Sequence, residues 1–97
     1  MTQVQPLVVV ASISAISGRA LELRPLLKAL LSPTLAEPGC LRYEMNESLD
    51  GEGWVFTEQW QSEVHWQHHR RSPYMTQFEA AAGNLIAEMR LLVGQQT

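Results

Sequence analysis

A chain of 97 residues, 45% hydrophobic and 18% charged, has the size and composition of one soluble domain spanning residues 1–97. Its net charge of -3, from 7 Lys+Arg against 10 Asp+Glu, leaves no basic footprint for nucleic acid. A single cysteine, Cys40, can neither close an intrachain disulfide nor supply a cysteine-rich zinc site.

The apolar stretch from Leu7 to Ala11 has no positive residue before it, since Arg19 is the first base, and Ser12 and Ser14 interrupt it. Neither a signal peptide nor a membrane span fits, so a buried strand in a cytoplasmic protein is expected. Val8, Val9, Val10, Ile13 and Ile16 suit a pleated strand running to Ile16, stopped by Ser17-Gly18. Leu23, Leu26, Leu27, Leu30 and Leu31 then follow helical spacing. Pro25 kinks that helix or lies near its start, and Pro33 and Pro38-Gly39 end the segment.

Cys40 to Ser48 alternates as a strand, with Leu41, Tyr43 and Met45 on one side and Arg42, Glu44 and Asn46 on the other. Asp50-Gly51-Glu52-Gly53 is a hairpin turn, after which Trp54, Phe56, Glu58 and Trp60 share a face. Ser62 is a candidate N-cap for a short helix to about Arg70, and Ser72-Pro73 for another through Ala82. Ile86 to Val93 reads as a last strand with Met89, Leu91 and Val93 on one face.

The order β-α-β-β-(αα)-β predicts a ferredoxin-like α+β fold, a four-stranded antiparallel sheet with its helices on one face. If Val9, Ile13, Phe56 and Trp60 point under the helices, Val8, Val10, Val55 and Leu92 form an apolar patch on the other face. Covering that patch predicts a homodimer through the sheet.

Chemistry concentrates in Glu58 and Trp60 and in His65, Trp66, His68 and His69 on the following helix. A carboxylate between Phe56 and Trp60 must be hydrogen-bonded, paired with a cation or protonated. His69 is a candidate partner that Glu58 would hold in one tautomer; alternatively Glu58 lies at a sheet edge or anchors a structural His or Arg. His65 and His69 can share a helical face, but no H-E-x-x-H pattern or third ligand accompanies them, and no metal site is assigned. Asp50 and Lys28, the only aspartate and lysine, are badly placed for a triad or a Schiff base, and no Gly-rich phosphate loop follows a strand. Cys40 reads as an inert, partly buried thiol. Tyr43, Trp54, Trp60, Trp66 and Tyr74 are core aromatics, several of which could line a pocket for a flat ligand.

Glu37-Pro-Gly-Cys-Leu-Arg-Tyr43, then Glu58-Gln-Trp60, then His69 with Ser72-Pro73 after it, resembles the antibiotic biosynthesis monooxygenase family and its quinol monooxygenase relatives. The resemblance covers essentially the whole chain. It implies a dimeric α+β barrel whose subunits each hold a pocket between sheet and helices. It also implies oxidation of a small quinol or polyphenol by dioxygen without metal, flavin or haem, the deprotonated substrate itself giving an electron to dioxygen. Carried over by position, His69 is the base or proton shuttle, and Glu58 orients it. Trp60 and Tyr43 line the pocket, with Trp66, Tyr74 and Phe56 as further lining candidates. Tyr74 stands where many members carry His after Ser-Pro. The haem-degrading relatives use an asparagine on the first strand, and none occurs between Leu7 and Ile16. Isomerisation or enolisation of a small carbonyl compound would use the same base without oxygen, and a ligand-binding member would keep only the fold.

Overall fold

Alternation between buried and half-exposed residues organises β1 (Leu7–Ala15), where Val9, Ala11, Ile13 and Ala15 turn inward. The computed structural model describes residues 5–97. After β1 come α1 (Ala20–Lys28), α2 (Leu31–Leu35), β2 (Cys40–Glu47), β3 (Gly53–Trp60), α3 (Glu63–Arg70), α4 (Pro73–Ala82), a 3-10 turn (Gly83–Leu85) and β4 (Ile86–Gln95). The four strands make one antiparallel sheet ordered β2-β3-β1-β4. This is the expected ferredoxin-like α+β arrangement.

Three local details differ from expectation. The leucine-rich segment is two helices: Pro25 is accommodated inside α1, whose freed Leu21 carbonyl belongs to an exposed residue, and Pro33 sits in the first turn of α2, where no N–H is needed. Leu41 does not join Tyr43 on the inner face. Cys40 pairs with Trp60 and Arg42 with Gln59, so Leu41 is the extra residue of a bulge and is exposed. Ser72 precedes α4, but its hydroxyl donates back to the His69 carbonyl at 2.7 Å instead of capping forward.

Cross-strand register sets the inner face. One row runs Tyr43, Glu58, Val9, Val93, and the next runs Met45, Phe56, Ala11, Leu91. Val9, Phe56 and Trp60 are fully buried beneath the helices with Leu23 and Leu27. The helices stop short of β4: Met89, Leu91 and Val93 share the inner face yet remain 54%, 40% and 42% exposed. On the outer face Val10 lies opposite both Thr57 and Leu92, and Leu92 and Val55 are exposed. Among the described residues no helix is long and apolar enough to cross a membrane.

Candidate active site

The loop between α2 and β2 carries Glu37, and Gly39 fixes its course. Gly39 has φ +82°, a conformation that L side chains rarely adopt, and a Cβ there would lie 2.3 Å from the His65 ring. Its carbonyl accepts the Gln61 N–H at 2.8 Å, tying the loop to the end of β3. On the other side of that junction Ser62 caps α3, its hydroxyl accepting the His65 N–H at 3.3 Å and meeting His65 Nδ1 at 2.7 Å. With α3 so anchored, Trp66 and His69 turn inward, while His68 faces solvent.

His69 is 3% exposed and boxed by aromatic rings, with centroids 4.8 Å from Trp60, 5.7 Å from Tyr43 and 6.0 Å from Tyr74. Its Nδ1 lies 2.6 Å from Glu37 Oε2, to which the Tyr74 hydroxyl also donates; Thr34 Oγ1 stands 3.0 Å from that hydroxyl. A carboxylate oxygen can only accept here, so Nδ1 carries the proton and Nε2 keeps its lone pair. Burial pulls the His69 pKa below the usual imidazole value, opposed by Glu37 and aided by Arg70. The ring is therefore a neutral base at neutral pH. Burial also pushes the Tyr74 hydroxyl up to about 12 and the Tyr43 hydroxyl upward.

Glu58 sits in mid-sheet between Tyr43 and Val9 and is 6% exposed. The indole N–H of Trp60 donates to its Oε1 at 3.0 Å. One neutral donor offsets desolvation only partly, and burial pushes its pKa up to about 7. Glu58 is thus not the residue that orients His69. That contact belongs to Glu37, because Glu58 is turned to the indole of Trp60, two residues along its own strand. Burial and the Glu37 and Glu58 charges raise the Cys40 thiol pKa, which fits an unreactive cysteine.

Between the sheet and α3 and α4 lies a cavity of about 100 Å³, lined by Ala11, Ile13, Leu30, Tyr43, Phe56, Glu58, Trp66, His69, Arg70, Met75, Phe78, Glu79, Met89 and Leu91. Among the described residues no buried polar side-chain atom lacks a partner. Among the described residues His69 Nε2 and Glu58 Oε2 have no hydrogen-bond partner, so each opens into this cavity. An apolar cavity of roughly 150 Å³ holds one benzene ring, so this smaller hollow takes a ring only if the ring extends out of it toward the open β4 side. Among the described residues no three His, Cys, Asp or Glu side chains group to hold one metal ion.

Residues 6–81 match the antibiotic biosynthesis monooxygenase family. The chain belongs to that family. Rv0793 of Mycobacterium tuberculosis, which carries a provisional monooxygenase name, is 41% identical over 64 residues, 66% of this chain and 63% of that protein. A Synechocystis protein, sll1783, is 26% identical over 86% of this chain and 57% of its own length. The matched region thus spans about three fifths of these curated relatives. The solved structure of Rv0793 superposes with TM-score 0.88 at 32% identity over 95% of each chain. PA3566 from Pseudomonas aeruginosa reaches TM-score 0.93 at 26% identity, covering 100% of this chain and 99% of that one.

Within this antibiotic biosynthesis monooxygenase fold, Tyr43, Phe56, Trp66, Glu58 and His69 of the sequence-derived site converge on the cavity. Trp60 and Tyr74 do not line it. Trp60 is fully buried behind Glu58 and His69, and Tyr74 contacts the far side of the imidazole. Glu37 and the α4 and β4 walls were missed. Glu37 stands in the Glu-Pro-Gly-Cys stretch of the family resemblance, and that was its one available signal. Met75, Phe78, Met89 and Leu91 look in sequence like ordinary core positions.

Proposed function

We propose that this protein is an oxygenase that oxidises a small quinol or polyphenolic ring with dioxygen, with no metal, flavin or haem taking part. The observation that carries this reading is His69, neutral by burial, with Nδ1 occupied by Glu37 and Nε2 open to an apolar, aromatic-walled cavity. Nε2 takes the proton of a phenolic hydroxyl; the O–H electron pair stays on the phenolic oxygen, and the electron-rich phenolate gives an electron to dioxygen. The chain supplies the base, apolar and aromatic walls and a fixed orientation, each of which lowers the barrier without a bound redox group. The provisional monooxygenase name of Rv0793 agrees with this assignment.

Oxygen uptake by chelator-treated protein with a panel of hydroquinones is the test. Uptake should fall roughly 10²–10⁴-fold in His69→Ala. Uptake equal in the two proteins on every substrate removes His69 as the base, and turnover of a small carbonyl compound without oxygen points to enolisation instead. We further propose that two copies pair through the outer sheet face around Val8, Val10, Val55 and Leu92. Val10→Glu should then sediment as a monomer where the unmodified protein sediments as a dimer.

A further inference from the structure

Glu58 is the one part of the site to which deprotonation by His69 gives no task. It is placed in the middle of the sheet, far inside the fold, with one oxygen held by the Trp60 indole N–H and the other opening into the cavity. Apolar and aromatic groups surround it, with Tyr43 and Val9 beside it and Phe56 and Ala11 in the adjoining row. Among the described residues no Arg, Lys or His lies within ion-pair distance of it. The nearest guanidinium on the cavity wall, that of Arg70, is laid over the Trp66 ring 4.8 Å from its centroid.

We propose that Glu58 is a second catalytic residue, acting as the protonated carboxylic acid that donates a hydrogen bond to the oxyanion formed when His69 takes a phenolic proton. The proposal rests on the cavity being the site where a phenol is ionised. In the step the substrate O–H bond breaks, its proton moves to His69 Nε2, and its electron pair stays on oxygen; the Glu58 proton is shared with that oxygen and not transferred. A carboxylate there would instead repel the anion. Stabilising charge where it develops, against apolar and aromatic walls, is the kind of contribution that raises the rate of such a step.

The titratable and charged groups that face Glu58 are Tyr43 and Cys40 on β2, His69 and Arg70 on α3, and Glu79 on α4, while the inner-face residues of β1 and β4 bring none. Of these, Tyr43 and Cys40 are neutral and His69 is neutral before the step. Glu79, at the exposed rim, adds a like charge that favours the protonated form, and Arg70 alone opposes it. Burial is the dominant influence and places the Glu58 pKa at about 7. A bound phenolate should raise it further.

The test uses the unmodified protein and 4-nitrophenol, whose absorbance distinguishes phenol from phenolate. Carbon-13 NMR of glutamate-labelled protein, with Glu58→Gln identifying the signal, should show one carboxyl titrating near 7 and moving up by roughly a unit or more when the probe binds. The probe should bind ionised below its own solution midpoint. Glu58→Ala should weaken that binding about tenfold or more, while Glu58→Gln, whose amide still donates, should stay within roughly threefold. A Glu58 carboxyl that titrates in the ordinary carboxylate range with probe present overturns the proposal, as does Glu58→Ala binding as tightly as the unmodified protein, or failure of 4-nitrophenol to bind at all. Oxygen is absent from these measurements. A protein that ionises the probe yet consumes no oxygen with any quinol keeps this inference and loses the oxygenase reading; one that oxidises quinols while Glu58 stays charged does the reverse.

Discussion

Two glutamates stand on opposite sides of His69, and their surroundings assign them opposite work. Glu37 lies in a loop at the protein's edge, its side chain 11% exposed, and one of its oxygens receives both the His69 Nδ1 proton and the Tyr74 hydroxyl. Glu58 lies in the centre of the sheet with a single indole donor. Donor number separates them: a carboxylate that accepts from two donors is fixed in place and orients its partner, and one with a single donor in an apolar wall tends to keep its proton. The same side chain therefore serves as a clamp in one place and as an acid in the other.

The largest effect should come from Glu37→Gln, which breaks the clamp while keeping its size. A Gln side chain can offer its N–H to Nδ1, which favours the other tautomer and places the ring proton on Nε2, where the base must be free. On any quinol that the unmodified protein oxidises, kcat should fall roughly 10²–10⁴-fold with KM little changed. A loss confined to KM would mean that Glu37 positions substrate and not the imidazole.

Glu58→Gln sharpens the other half of the contrast through stability. The folded protein holds the Glu58 proton up to about pH 7, whereas the ordinary value is 4.5. Folded chains therefore bind more protons than unfolded ones in that window, and stability falls as pH rises through it. The difference of 2.5 units (7 minus 4.5) corresponds to about 3 kcal/mol. Urea unfolding of both proteins from pH 4 to pH 8 should show the variant gaining about that much on the unmodified chain, nearly all of it between pH 4.5 and 7. His69 works in the opposite sense, since its depressed pKa makes the fold lose stability as pH drops below the ordinary imidazole value of 6.5. Because both proteins retain His69, subtraction removes its contribution. Parallel curves would place Glu58 among ordinary, charged carboxylates.

Gly39→Ala attacks the loop that presents Glu37. The positive φ costs about 1–2 kcal/mol for a residue with a Cβ, and the 2.3 Å approach to the His65 ring adds an overpacking cost of about 1–3 kcal/mol. The total, about 3 kcal/mol, should appear as a lower urea midpoint. Combining it with His65→Ala should recover the overpacking part and leave the backbone part. A double variant no more stable than the sum of the singles would trace the cost to the backbone alone.

How much of this contrast the sequence revealed follows from the range of the interactions involved. Strand alternation in β1 and β3 placed Val9, Ile13, Phe56, Glu58 and Trp60 on one buried face, because a period of two is a local property. The same rule failed at Leu41, where a single extra residue shifts the register and no local signal marks the bulge. The apolar neighbours of Glu58 in sequence mark it as anomalous, but they point to His69 as its partner where the structure has the Trp60 indole. The contact that holds His69 joins residues 32 positions apart across a loop whose direction depends on the conformation of Gly39. The β4 wall is hidden in sequence for a similar reason: periodicity shows which side Met89 and Leu91 face, and only the lateral placement of the helices shows that this side is left open.

The smallest expected effect belongs to Tyr74→Phe, and it sets the scale of the clamp's outer layer. The hydroxyl donates to Glu37 and meets Thr34 at 3.0 Å, but the ring remains packed near His69 without it. Losing one charge-assisted hydrogen bond at a part-buried site should cost about 1.5 kcal/mol in urea unfolding. Because Glu37 still holds Nδ1, the tautomer survives, and kcat should drop by only several-fold, far less than in Glu37→Gln. With one donor gone, the Glu37 carboxylate should draw the His69 proton more strongly and raise the pH below which activity falls. If Tyr74→Phe instead cost as much activity as Glu37→Gln, the phenol would itself be part of the proton path, and the division of labour between the two glutamates would have to include a third group.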